Sequence, residues 1–132
     1  MNQDISIESN INLLDDERFV IALNLFNNGD WYPAHDAFEE LWHENNGDER
    51  KILQGILQIA VAQVHLERGN RKGATILYGE GIGRLRSACI NDFCLDLVEF
   101  IDVVQIRLEV LQNNGDIDIC RVPILKVKRT FI

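Results

Sequence analysis

The stretch ILQGILQIAVAQVHL, residues 52–66, decides the fold: ten of its fifteen residues are apolar, too many for a helix with one exposed face. It reads as the central, most buried helix of an all-α domain. Asp48 is placed to cap this third helix, from Glu49 to Arg68. Upstream, Asp30 can cap a second helix from Trp31 to about Asn46, with Pro33 in its first turn, where a missing amide hydrogen does no harm, and Gly47 beyond its end. Asp15 or Asp16 precedes a first helix through Phe19, Val20, Leu23 and Phe26, closed by Asn28-Gly29.

Downstream, Asn70 opens a fourth helix from about Arg71 to Cys89, weakened by Gly73, Gly79, Gly81 and Gly83. The run Gly79-x-Gly81-x-Gly83 lacks the preceding strand and following lysine of a phosphate loop, so close helix packing over Gly79 and Gly83 is the expectation. Asn91-Asp92 is read as the cap of a fifth helix through Leu97, Ile101, Val104, Leu108 and Leu111, closed by Asn113-Asn114-Gly115. In the tail, Leu125, Val127 and Phe131 alternate with Lys126, Lys128 and Thr130, and Pro123 blocks a helix. The predicted organisation is a flexible segment over 1–14, a bundle over 15–115 and an extended tail over 116–132 packed on it. The fold class is an antiparallel bundle of about five helices built from helical hairpins.

Composition narrows the function. The 132 residues carry 13 Lys and Arg against 21 Asp and Glu, a net charge of −8, which repels nucleic acid and anionic lipid over most of the surface. No stretch approaches the roughly 20 apolar residues of a membrane span, and Asp4 and Glu8 argue against a secretory signal, so a cytoplasmic protein is expected. Cys89, Cys94 and Cys120 make no CxxC pair and read as reduced, mostly buried thiols. Covalent catalysis finds no serine or cysteine at a recognisable spacing from a histidine.

An internal repeat appears at an offset of forty residues, Gly29-Asp30-x3-Ala34-x3-Phe38 against Gly69-Asn70-x3-Ala74-x3-Tyr78. In each copy glycine turns the chain, a polar residue caps the next helix, alanine allows close approach and an aromatic fills the gap one turn later. The design is that of tetratricopeptide hairpins, although two copies at this period fit a compact bundle better than an open array.

Polar residues at helical spacing interrupt the apolar pattern. His35, Glu39 and Trp42 fall within roughly 60° of one another on the second helix, and Gln54, Gln58 and His65 within about 40° on the third; Gln63 lies well off that line. The short connection makes the two helices antiparallel neighbours, which sets Glu39 opposite the interval between Gln54 and Gln58, with His35 beside it and His65 about a turn further off. A hydrogen-bonded network that fixes register accounts for this set. Alternatively, His35, Glu39 and His65 bind a divalent metal with an open position for water, or Trp31, Tyr32 or Trp42 line a small-molecule or peptide pocket oriented by the stripe. Glu40, His43 and Glu44 read as a solvated face.

These residues also carry a likeness. Phe26-Asn27-x-Gly29-x2-Tyr32-x-Ala34-His35-x3-Glu39-x2-Trp42, followed by Gln54-Gly55-x2-Gln58-x6-His65-x4-Asn70-x2-Gly73-Ala74, resembles the small helical bacterial and archaeal family known as domain of unknown function three hundred and nine. The resemblance covers about residues 16–90. It implies an all-helical bundle and brings no established activity. His35, Glu39, Trp42, Gln54, Gln58, His65, Asn70 and Gly73 match its signature positions, whereas Asp36 stands where the family commonly has glutamate.

The main functional expectation is a non-catalytic binding or scaffold module that needs no cofactor, with a protein or small molecule as partner. The alternative is a metal-dependent, hydrolase-like enzyme using His35, Glu39 and His65 as ligands. The apolar fifth helix leaves room for a homodimer interface.

Overall fold

A computed structural model describes residues 13–129. After a 3-10 turn at Leu13–Asp15 come helices α1 (Glu17–Asn27), α2 (Trp31–Glu44), α3 (Gly47–Glu67), α4 (Arg71–Ser87) and α5 (Leu97–Gln112), then a 3-10 turn at Ile117–Ile119 and extended chain. The expected flexible segment lies outside the described residues over 1–12, as does Phe131. Leu13 and Leu14, assigned to that segment from sequence, instead pack against the core.

Local chemistry explains the helix starts. The Asp16 carboxylate accepts from Arg18 N at 2.9 Å and closes the first turn of α1, and Asn70 Oδ1 accepts from Gly73 N at 2.9 Å to close that of α4. Gly29 and Gly69 take φ of +80° and +77°, the left-handed conformation that ends one helix before the next begins. Three boundaries differ from expectation. α2 ends at Glu44, α4 ends at Ser87, and α3 begins at Gly47 after Asn46 rather than after Asp48.

The start of α5 is the larger correction: Asp96, not Asn91-Asp92, caps it, accepting from Glu99 N at 3.4 Å. Residues 88–96 form a loop that still sends Phe93 and Leu95 into the core. The loop's backbone is satisfied by the tail, with Asp96 N donating to Lys126 O at 2.8 Å and Lys128 N to Cys94 O at 2.7 Å around an antiparallel Leu95–Val127 bridge. From α1 onward each helix packs on the next, and α3 and α4 share the most extensive contact.

That contact depends on glycine at positions other than those expected. A Cβ on Gly81 would stand 2.9 Å from Gly55 O, and one on Gly55 would stand 3.0 Å from Gly81 O, whereas nothing lies within 4 Å of Gly79 or Gly83. Gly55 and Gly81 therefore make the close approach. At the other end of the bundle, Phe26 meets Trp31 edge-on at 5.0 Å and Phe100 at 5.8 Å, joining α1, α2 and α5.

The tail docks on this end. Asn27 clamps Leu125 through its side-chain amide, donating to Leu125 O and accepting from Leu125 N, both at 2.8 Å. Pro123 and Leu125 face inward while Val122, Ile124 and Lys126 face out; Val127, expected to continue the buried alternation, is 49% exposed. The tail's positive charges meet the bundle itself: Lys126 pairs with Glu99 at 2.7 Å, and Lys128 donates to Asn91 O. The thiols also differ from expectation, since Cys89 is exposed and Cys94 and Cys120 are half-buried. Burial raises the Cys94 pKa to about 11.

Candidate functional site

The polar residues read from sequence do not form one network. On α2, His35 Nδ1 lies 3.1 Å from Asp36 Oδ1, and Glu39, one turn on, joins them. His35, Asp36 and Glu39 each offer a ligand atom, all within 4.8 Å of one another, and neither carboxylate is buried. Glu39 does not hydrogen-bond between Gln54 and Gln58.

Gln58 turns instead toward α4, donating from Nε2 to Glu80 Oε1 at 3.1 Å and accepting at Oε1 from Arg84 Nε at 3.0 Å. The helical period placed it on a face correctly, but α3 is flanked on both sides and the period cannot choose between neighbours. Gln54, half-buried on the same line, takes no part in that bridge. His65 sits beyond reach of the α2 cluster, its Nδ1 held 3.0 Å from Asn70 Nδ2. It thereby orients the amide whose oxygen caps α4 at Gly73. A Cβ at Gly73 would stand 2.6 Å from that Asn70 nitrogen, so glycine, histidine and asparagine form one capping unit.

The aromatic residues also separate. Trp31 is buried in the core against Phe26 and cannot line a groove, whereas Tyr32 is 56% exposed with its ring 6.0 Å from that of His35. Trp42 is half-buried beneath the Arg50 guanidinium, 3.9 Å above its ring centroid, a cation–π contact that fastens α2 to α3. Its indole Nε1 is buried and makes no hydrogen bond among the described residues. Glu40 and Glu44 are not merely solvated: Arg18 of α1 bonds Glu40 at 3.0 Å and Glu44 at 2.6 and 2.7 Å. His43 is exposed.

The polar network buried most deeply was not predicted. Tyr78 of α4 donates its hydroxyl proton to Gln63 Oε1 of α3 and accepts from Arg107 Nε of α5 at 2.8 Å. Arg107 Nη1 continues to Arg121 O in the tail at 2.9 Å, so one chain of bonds crosses three helices and the tail. Burial raises the Tyr78 pKa while the Arg107 charge opposes it, and the phenol stays neutral. Two sequence signals marked this set: a tyrosine where the first repeat copy has Phe38, and a lone cation within the apolar stripe of the fifth helix.

Chemically, this network is closed upon itself, whereas the α2 cluster has donors to spare. An imidazole nitrogen and two carboxylates suit zinc, manganese or iron, and bonds of about 2 Å would need the three donors to draw in to roughly 3 Å apart, a side-chain adjustment on one exposed helix face.

Comparison with known proteins agrees with the likeness seen in sequence. The chain is 30% identical over 87 residues to an uncharacterized protein, YpuF, of Bacillus subtilis, an alignment covering 64% of this chain and 50% of that protein, so this chain spans about half the length of that relative. The family model described as domain of unknown function (DUF309) matches residues 19–77, which hold the α2 cluster, the His65–Asn70–Gly73 cap and both copies of the repeat nearly complete. Over those residues the chain is similar to the DUF309 family.

Proposed function

We propose that the protein is a binding module for a divalent cation, held on the open face of α2 by His35, Asp36 and Glu39. The observation that carries this reading is the convergence of one imidazole and two carboxylates within 4.8 Å on a single helical turn. Helix geometry favours it, because Glu39 stands four positions on from His35 and three on from Asp36, spacings that bring side chains together on a helix. The ligand set departs from His35, Glu39 and His65, since His65 is committed to the Asn70 cap. Water or an anionic group of a bound molecule would complete the coordination shell, the way in which a non-catalytic module uses an exposed ion.

Metal content of chain purified without chelator tests the reading directly. A stoichiometric transition metal is expected, lost on His35→Ala and on Glu39→Gln but retained on His65→Ala, with circular dichroism unchanged in all three. Binding should weaken on acidification, because a protonated imidazole has no lone pair to give. Metal that survives His35→Ala, or that vanishes in His65→Ala, would defeat the assignment.

A further inference from the structure

A hollow of about 410 Å³ lies between α5 and the tail, floored by Phe100 and Val103 and walled by Val122 and Ile124. Val122 and Ile124 are 53% and 45% exposed, and Ile106, one turn beyond Val103 on the same side of α5, is 56% exposed. Scattered exposed aliphatics are ordinary, but a contiguous set around a hollow marks an interaction surface.

Charge decides what covers it. On a chain of net charge −8, this groove is lined by both signs, Glu99 on the helix side and Arg121 and Lys126 on the tail side, with exposed Asp102 one turn beyond Glu99 on α5. Lys126 is engaged with Glu99 at 2.7 Å, while Arg121 is 71% exposed and reaches Glu99 only at 3.9 Å. A polyanion would meet the helix-side acids, and a strongly basic partner would meet Arg121 and Lys126. A second copy related by a two-fold axis lays the helix side of one groove against the tail side of the other, bringing Asp102 to Arg121 twice.

We infer that this groove is the interface of a symmetric homodimer, with Ile106, Val122 and Ile124 at its centre and Asp102–Arg121 pairs at both rims. The groove is built from α5 and the tail and shares no residue with the α2 cluster, so neither proposal depends on the other.

Sedimentation of the full chain over a range of concentration and salt tests it. A dimer is expected, with Ile106→Glu and Val122→Glu monomeric yet unchanged in helix content by circular dichroism, since both side chains are exposed. Arg121→Glu should weaken association by about tenfold, two exposed ion pairs being lost, and combination with Asp102→Arg should restore it. A wild-type chain that stays monomeric overturns the inference, and greater binding of an apolar dye on removal of residues 1–12 would then assign the groove to that segment rather than to another protein. A dimer that survives Ile106→Glu, or a reversed pair that restores nothing, overturns it as well.

Discussion

The two copies of the repeat share a scaffold and put it to opposite use. Gly29 and Gly69 turn the chain with nearly equal φ, Ala34 and Ala74 are fully buried, and Phe38 and Tyr78 fill equivalent places with no exposure. In the first copy the interior is wholly apolar, Phe38 meeting Phe19 at 6.2 Å and Phe26 at 6.4 Å, and the polar residues His35, Asp36 and Glu39 lie outside. In the second the polar chemistry has moved inside, where the Tyr78 hydroxyl joins Gln63 to Arg107. The comparison teaches that the repeat sets where the backbone turns and how deep one aromatic sits. It leaves free which side of the helix carries polar function.

Exchanging the aromatics should break this contrast with the largest effect. Phe38→Tyr would place a hydroxyl among aromatic rings with no partner, at a cost of about 3 kcal/mol. Tyr78→Phe removes a bond from Gln63 and another from Arg107, costing about 2 kcal/mol. Urea unfolding measures both. If Phe38→Tyr proved the milder change, the first copy would have a polar outlet in its interior and the two copies would not differ as described.

The next largest effect concerns closeness of approach. Leu41 of the first copy corresponds to Gly81 of the second, and only the second copy presses against a glycine of α3. Gly81→Ala puts a methyl group 2.9 Å from the backbone oxygen of Gly55, which cannot rotate away, and should destabilise by about 2 kcal/mol. Gly79→Ala, with nothing within 4 Å, should instead stabilise by up to about 1 kcal/mol through helix propensity. Opposite signs in thermal unfolding are the expected result, and equal signs would remove the packing account of Gly81.

Much of the fold was legible because its signals are local. The caps Asp16 and Asn70, the turn glycines and the density of apolar residues over 52–66 each act within a turn or two of the chain. The site was legible only as a face. Gln58 finds its partners 22 and 26 residues later on α4, and no periodicity within α3 contains that information. Residues 88–96 mimic a helix start at Asn91-Asp92, yet their backbone partners are the tail residues Lys126 and Lys128. The glycine run showed that something packs closely there; choosing Gly81 over Gly79 and Gly83 requires the helix rotation that only the assembled bundle supplies. Arg107 was legible in principle, since a cation within an apolar stripe calls for a partner.

The smallest effect separates the outer faces of the two copies and is local. Hydrogen bonds from Arg18 hold the Asp16 and Glu44 carboxyls below their ordinary values of 3.8 and 4.5. A carboxylate depressed in the folded chain contributes stability above its unfolded pKa, and that contribution is lost as pH falls through the lower folded value. The α1–α2 contact is therefore fully supported at neutral pH and loosens in acid below about pH 4. Tyr78, neutral throughout that range, gives its buried bond between α3 and α4 no such response. Because exposed ion pairs contribute little, the change should escape a global melting curve and appear in hydrogen exchange. After correction for intrinsic rates, amides of α1 should lose protection relative to α4 between about pH 5 and pH 3. Arg18→Met should abolish the difference by removing the group that depresses both carboxyls. Equal acid sensitivity of α1 and α4 in the wild-type chain would instead mean that the two copies respond to protons alike, and that the ion pairs on α2 do not distinguish the first from the second.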